Sequence, residues 1–130
     1  MRCRAMARHH VIYNHMIVGL LPDLAADRIF QALGAATRRD ILARAIRREQ
    51  SVSALARHYE MSFAAVQKHV AVLERAALVT KERRGREQIV SANAPTLHKA
   101  AALLDAYEQL WIERTTRIAD ILAGEEGSTK

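Results

Sequence analysis

Residues 51–91 read SVSALARHYEMSFAAVQKHVAVLERAALVTKERRGREQIVS, and this stretch decides the fold. Ser51 is placed as an N-cap ahead of a short helix, SVSALARHY, with Val52, Leu55 and Ala56 facing the core. Glu60-Met61 makes a tight connection, and Ser62 caps a longer helix, FAAVQKHVAVLERAAL. On that helix Val66, Val70, Leu73 and Ala77 recur at spacings of four, three and four, the signature of a buried stripe. Ala64, Gln67, Lys68, Ala71 and Arg75 fall on the opposite face, where small residues let a helix backbone approach the floor of a DNA groove. Two short helices joined by a turn of three or four residues, the second poor in bulky outward side chains, suit a helix-turn-helix. Any helical bundle contains such a pair, so the flanking segments carry the decision.

Downstream, Leu78-Val79-Thr80-Lys81 and Gln88-Ile89-Val90-Ser91 are β-branched and alternating, as strands are. Between them Glu82-Arg83-Arg84-Gly85-Arg86-Glu87 reads as a hairpin tip with glycine at the turn and three arginines. Taken alone, this is an exposed edge hairpin blunted by charge. Placed directly after a groove helix, it is the wing of a winged helix-turn-helix, its tip within reach of a phosphate or the minor groove. Upstream, Pro22-Asp23 opens a helix to Leu33 with Leu24, Ile29, Phe30 and Leu33 on its apolar side, and Gly34 ends it. A second helix, Ala36 to Ile46, turns Ile41, Leu42, Ala45 and Ile46 inward and Arg38, Arg39, Arg44 and Arg47 outward. The predicted fold class is mainly α with a small β-hairpin.

From Pro95 to about Ala123 the pattern is one long helix. Leu97, Ala101, Leu104, Glu108, Trp111, Thr115, Ile118 and Leu122 form one stripe, and Ala100, Leu103, Tyr107, Leu110, Arg114, Ile118 and Ile121 a second beside it. Two apolar stripes exceed what one small domain covers, so the helix is read as a dimerisation element. Leu104, Tyr107, Trp111, Ile118 and Leu122 are expected at or beside a two-fold interface. Trp111 is also compatible with the aromatic wall of a small-ligand site.

The 130 residues, half of them apolar, make a single-domain length able to bury a core. Residues 1–22 read as an N-terminal arm, with Met16 an alternative start, 23–123 as the domain and 124–130 as a polar tail. Cys3 is the sole cysteine, which excludes an internal disulfide and suits a reducing, cytoplasmic setting. Met1 to Pro95 carries sixteen basic and eight acidic residues, net +8, whereas Thr96 to Lys130 carries four and six, net −2. A basic body with an acidic C-terminal segment fits a polyanion-binding body. The apolar run from Val11 to Leu21 is interrupted by Asn14-His15 and too short for a membrane span. No triad or paired-carboxylate spacing supports an enzyme, and no cofactor is expected. Cys3, His9, His10 and His15 are the only cluster of metal-ligand types, irregularly spaced.

Gln31-Ala-Leu-Gly-Ala-Ala-Thr-Arg-Arg-Asp-Ile-Leu42, Met61-Ser-Phe-Ala-Ala-Val-Gln-Lys-His-Val70, Leu78-Val79 and Arg83-Arg84-Gly85-Arg86 together resemble the ArsR/SmtB family of bacterial winged-helix repressors, over about Leu24 to Leu122. The resemblance implies a homodimer on palindromic double-stranded operator DNA, released by an effector whose chemistry the sequence does not specify. Metal-sensing members carry a cysteine pair where this chain has Val52-Ser53-Ala54, or Asp and His ligands on the final helix, where no histidine lies beyond His98. Both familiar metal sites are absent. Family members often have proline near Ala64, serine near Gln67 and glycine near Ala77. At the start of the groove helix, Ser62, Phe63, Ala65, Gln67, Lys68 and His69 are expected to face the operator, with Gln67 suited to adenine. Arg83, Arg84 and Arg86 are expected to add phosphate affinity. Two alternatives stand beside this reading: a helical interaction module whose basic face binds an acidic protein, and a metal sensor using the N-terminal arm.

Overall fold

A computed structural model of the chain describes residues 22–128, and the side chains up to residue 124. The candidate metal ligands Cys3, His9, His10 and His15 lie outside the described residues. The elements run α1 (Asp23–Leu33), α2 (Ala36–Arg47), β1 (Gln50–Ser51), α3 (Val52–Ala56), α4 (Phe63–Arg75), β2 (Val79–Arg84), β3 (Glu87–Ala92) and α5 (Ala94–Ser128). The chain divides into two compact units, one of residues 21–100 and one that includes the helix from Ala101 onward.

The 21–100 unit is a winged helix-turn-helix, in which α3 and α4 are the helix pair and β2–β3 the wing. Ser51 and Ser62 cap α3 and α4 as expected, their hydroxyl oxygens accepting from the amides of Ala54 (3.0 Å) and Ala65 (3.1 Å). The core is built from Ile29, Ile41, Leu55, Val66, Val70, Leu73, Leu78, Val79 and Val90, each at most 1% exposed. Several inward assignments from periodicity fail. Leu24 is 62% exposed, Ile46 52% and Phe30 37%, while Ala32, absent from the expected stripe, is wholly buried. The buried strip of α1 is narrow, Ile29 and Ala32, so bulky residues one position away from it sit at the rim.

The α3 helix is shorter than expected, ending at Ala56. His58 and Tyr59 continue it only through i→i+3 bonds to Leu55 and Ala56, leaving a six-residue connection to α4. A strand that periodicity did not reveal, β1, pairs antiparallel with β3 through Gln50–Val90 and Ser51–Ile89, giving the order β1-β3-β2. The hairpin strands extend further than their β-branched cores: pairing continues to Arg84–Glu87, so the tip is only Gly85-Arg86. Gly85 takes φ +64 while Arg86 does not go positive, as in a type II′ turn.

The end of α4 is the other departure. The helix stops at Arg75, and Ala77 adopts φ +59. The amide of Leu78 donates to the Leu73 carbonyl (3.0 Å) and that of Ala77 to the Glu74 carbonyl (2.9 Å), which together make a Schellman cap. Ala77 therefore leaves the expected stripe and is exposed, and its neighbour Ala76 is buried instead. Asn93 secures this turn, donating from Nδ2 to the Ala77 carbonyl (2.9 Å) and to Thr96 Oγ1 at the start of α5 (3.0 Å). An L-residue in this conformation is strained where glycine is not, and the exposed Cβ buries nothing. Ala77→Gly is accordingly expected to stabilise the unit by about 1 kcal/mol, measured by urea denaturation. A loss of stability would show that the cap is not left-handed.

Candidate nucleic-acid interface

Burial of Val66, Val70 and Leu73 fixes the rotation of α4. Phe63, Ala64, Gln67 and Lys68 consequently lie together on the exposed side, and Ala71 beside them is half-buried. Gln67 and Lys68 make no side-chain hydrogen bond or ion pair among the described residues. Of the residues picked from sequence, Ser62, Phe63, Gln67 and Lys68 are brought to this face. Ala65 is half-buried and lies round the helix from it, while Ala64, outward by the helical pattern but not among the expected operator contacts, takes the exposed place.

His69 is also half-buried, its Nδ1 3.4 Å from a guanidinium nitrogen of Arg38. Arginine can only donate, so Nδ1 accepts and the ring proton resides on Nε2. Arg38 does more than meet His69. Its Nε donates to the Ala32 carbonyl (2.8 Å) and its Nη2 to that of Gln31 (3.0 Å), and Arg39 donates to Leu33 O (2.7 Å). These are the orphan carbonyls at the end of α1, a helix with no basic residue in its own last turn. Arg38, expected outward, is thus a half-buried cap.

The wing arginines separate into two kinds. Alternation along β2 places Lys81 and Arg83 on one face and Glu82 and Arg84 on the other. Lys81 reaches Glu74 of α4 at 3.8 Å. Arg84 donates to both oxygens of Glu49 (2.7 and 3.5 Å) and to Glu82 (3.2 Å), and Ser91 donates to Glu49 as well (3.2 Å). The Arg84 guanidinium holds the Glu49 carboxyl below its ordinary range, and Glu49 in turn raises Arg84. Arg83 donates only to the Gly85 carbonyl (3.3 Å), and neither Arg83 nor Arg86 forms an ion pair among the described residues. No sequence signal could have found Glu49 as the partner of Arg84, since 35 positions separate them.

Within the connection between α3 and α4, the Tyr59 hydroxyl donates to Asp40 Oδ2 (2.5 Å), which also accepts from Arg44 Nε (2.9 Å). The bond from Tyr59, then that from Arg44, holds Asp40 below the usual carboxylate range. Partial burial, reinforced by Asp40, pushes the Tyr59 phenol up to about 12. The network ties the turn before α4 to α2.

On α5 beyond Ala101, Leu103 is buried, whereas Leu104, Tyr107, Trp111, Ile118, Ile121 and Leu122 are 48–62% exposed. No three His, Cys, Asp or Glu side chains group as metal ligands among the described residues, and no helix there is long and apolar enough to cross a membrane.

A helix pair whose second member presents a small, polar outer face beside a two-stranded wing defines a winged helix-turn-helix DNA-binding protein. No family model and no curated protein matches the chain. Among solved structures, an ArsR-like transcriptional regulator from Rhodococcus sp. RHA1 is 33% identical, with a TM-score of 0.67 over 75% of this chain and 92% of that one. An ArsR family transcriptional regulator is 30% identical, with a TM-score of 0.64 over 67% and 90%. The homodimeric winged helix-turn-helix DNA-binding domain of a Mycobacterium bovis protein shares the fold at 21% identity, with a TM-score of 0.54 over 65% and 80%. The chain belongs to the ArsR family of transcriptional regulators.

The contribution of the Tyr59 phenol to stability is fully present below pH 10 and is lost as pH rises through about 12, because the folded state favours its neutral form. A phenolate absorbance titration of wild type against Tyr59→Phe should show that the difference is one group ionising near 12. Asp40→Asn should move that step down. Ionisation of every phenol near 10 would remove the hydrogen bond from the account.

Proposed function

We propose that the chain is a repressor that binds a palindromic operator as a homodimer, inserting α4 into the major groove and laying the wing against the flanking backbone. The observation that carries this reading is the outer face of α4. It is exposed, its Gln67 and Lys68 make no side-chain hydrogen bond or ion pair among the described residues, and it is followed by a wing whose Arg83 and Arg86 form no ion pair there. Gln67 offers the amide pair that adenine accepts bidentately, and Lys68 suits a guanine or a phosphate. Ser62, whose oxygen is taken by its own helix, keeps a hydroxyl proton for a backbone phosphate. Phe63 is available at the first turn. His69 and Ala65 support the helix rather than touch bases.

Arg83 and Arg86 act on phosphates, while Arg84 orients the wing through Glu49 and contributes little net charge. Replacing both Arg83 and Arg86 by alanine should lower the slope of log K against log salt by about 2. Arg84→Ala should lower it by less than about 1, and Glu49→Gln should raise it by up to about 1 as Arg84 becomes available. Equal effects of all three arginines in fluorescence-anisotropy salt titrations would show that Arg84 is not held back.

A single small domain binds an operator too weakly, and two recognition helices must sit about 34 Å apart to enter successive major grooves. The exposed apolar side chains Leu104, Tyr107, Trp111, Ile118 and Leu122 supply the surface for a second copy. Trp111→Glu with Ile118→Glu should give monomers by sedimentation, with helix content retained and operator binding weaker by about 100-fold or more. Wild type sedimenting as a monomer at micromolar concentration would overturn the dimer.

A further inference from the structure

Phe63 opens α4 at its first turn, is 46% exposed, and shares the outer face with Ala64 and Gln67. The cap is made by Ser62 and the buried stripe by Val66, Val70 and Leu73, so nearly half of a large aromatic side chain is left in water outside the core. In water a large apolar ring there is a cost, recovered only when something apolar covers it. The first turn of such a helix is the part that meets base edges. The one apolar group on the major-groove floor of DNA is the C5-methyl of thymine, which accepts contact from Phe and Ala side chains.

We infer that Phe63 reads a thymine methyl in each half-site, one or two base pairs from the pair contacted by Gln67. The inference rests on the operator-binding reading above and adds what the half-site must contain. Phe63 and Gln67 lie four residues apart, about 6 Å along the helix axis at 1.5 Å per residue. That separation is close to two base-pair steps of about 3.4 Å. Gln67 suits adenine, so the central contacts of the half-site are A·T pairs: one read through the adenine edge, and a second, one or two steps away, through the methyl. Lys68, on the same face, leaves room for a guanine beyond them.

Uracil differs from thymine only by that methyl, so substitution isolates the contact while leaving every hydrogen-bonding group in place. The full chain is first used to select binding sequences from randomised duplex DNA. Each thymine of the selected half-site is then replaced by deoxyuridine, one at a time, and affinity is measured for wild type, Phe63→Leu and Phe63→Ala. At one thymine, one or two steps from an adenine, uracil should weaken wild type by about fourfold, the value of one buried methyl. Phe63→Leu should keep part of that discrimination. Phe63→Ala should bind the thymine and uracil duplexes equally at that position, while keeping the helix content of wild type by circular dichroism. Selection of a sequence whose thymines all tolerate uracil, or a methyl effect that survives in Phe63→Ala, overturns the assignment to Phe63 and leaves the operator reading intact. Failure to enrich any sequence overturns both.

Discussion

The inner stripe of α4 is the constraint on which the interface depends. Val66, Val70 and Leu73 have no exposed surface at all, and residues spaced four and three apart can be buried together in only one rotation of the helix. Once that rotation is set, the opposite side is set too, and Phe63, Ala64, Gln67 and Lys68 reach solvent without any contact of their own holding them out. Burial on one face thus fixes which side chains the other exposes. The two ends of the helix are held independently: Ser62 closes the first turn, and the Ala77 cap, locked by Asn93, turns the chain into β2. Through that turn β2 follows directly from α4, and helix and wing belong to the same 21–100 unit.

The arginines require a division that net charge conceals. The body from Met1 to Pro95 carries a formal +8, yet several of its guanidiniums are structural. Arg38 and Arg39 satisfy the carbonyls at the end of α1, Arg44 is engaged with Asp40, and Arg84 with Glu49 and Glu82. A charge-assisted bond to a carboxylate leaves little field for a phosphate, because the pair is close to neutral at a distance. The charge open to a polyanion is therefore smaller than the composition implies, and in the first turns of α4 and at the wing tip it falls to Lys68, Arg83 and Arg86, which form no ion pair among the described residues. Arg38 and Arg39, which belong to one of the segments that carry the family resemblance, cap the end of α1.

Local rules made the central elements legible. The spacing of Val66, Val70 and Leu73, two serines placed as N-caps, and a glycine between alternating β-branched runs are each readable within a few residues, and α3, α4 and the wing follow from them. What escaped is long-range or conformational. The β1 strand has two residues and no pattern of its own, and exists because β3 offers it an edge. The Glu49–Arg84 pair joins segments far apart in sequence, and nothing in the arginine-rich tip marks one of its three members as engaged. At Ala77 the spacing continues the stripe because alanine satisfies a helix, whereas the next β-strand demands a reversal there. Alanine makes that reversal at φ +59, under strain that glycine would not carry.

Exposure separates the apolar residues whose role lies within the unit from those whose role lies outside it. Single exposed side chains such as Leu24 and Ile46 are ordinary for a small domain. The run on α5 is different in kind, since Leu104, Tyr107, Trp111, Ile118, Ile121 and Leu122 recur at helical spacing over about five turns. The residues from Thr96 to Lys130 are acidic on balance, net −2 against +8 for Met1 to Pro95. An uncovered stripe of that length is costly in water and specific in shape, and a second copy of the same helix is the partner that the proposed reading gives it. A groove contact made by a few short side chains is weak by itself, so on the proposed reading a second copy held at fixed spacing is what turns it into an operator contact.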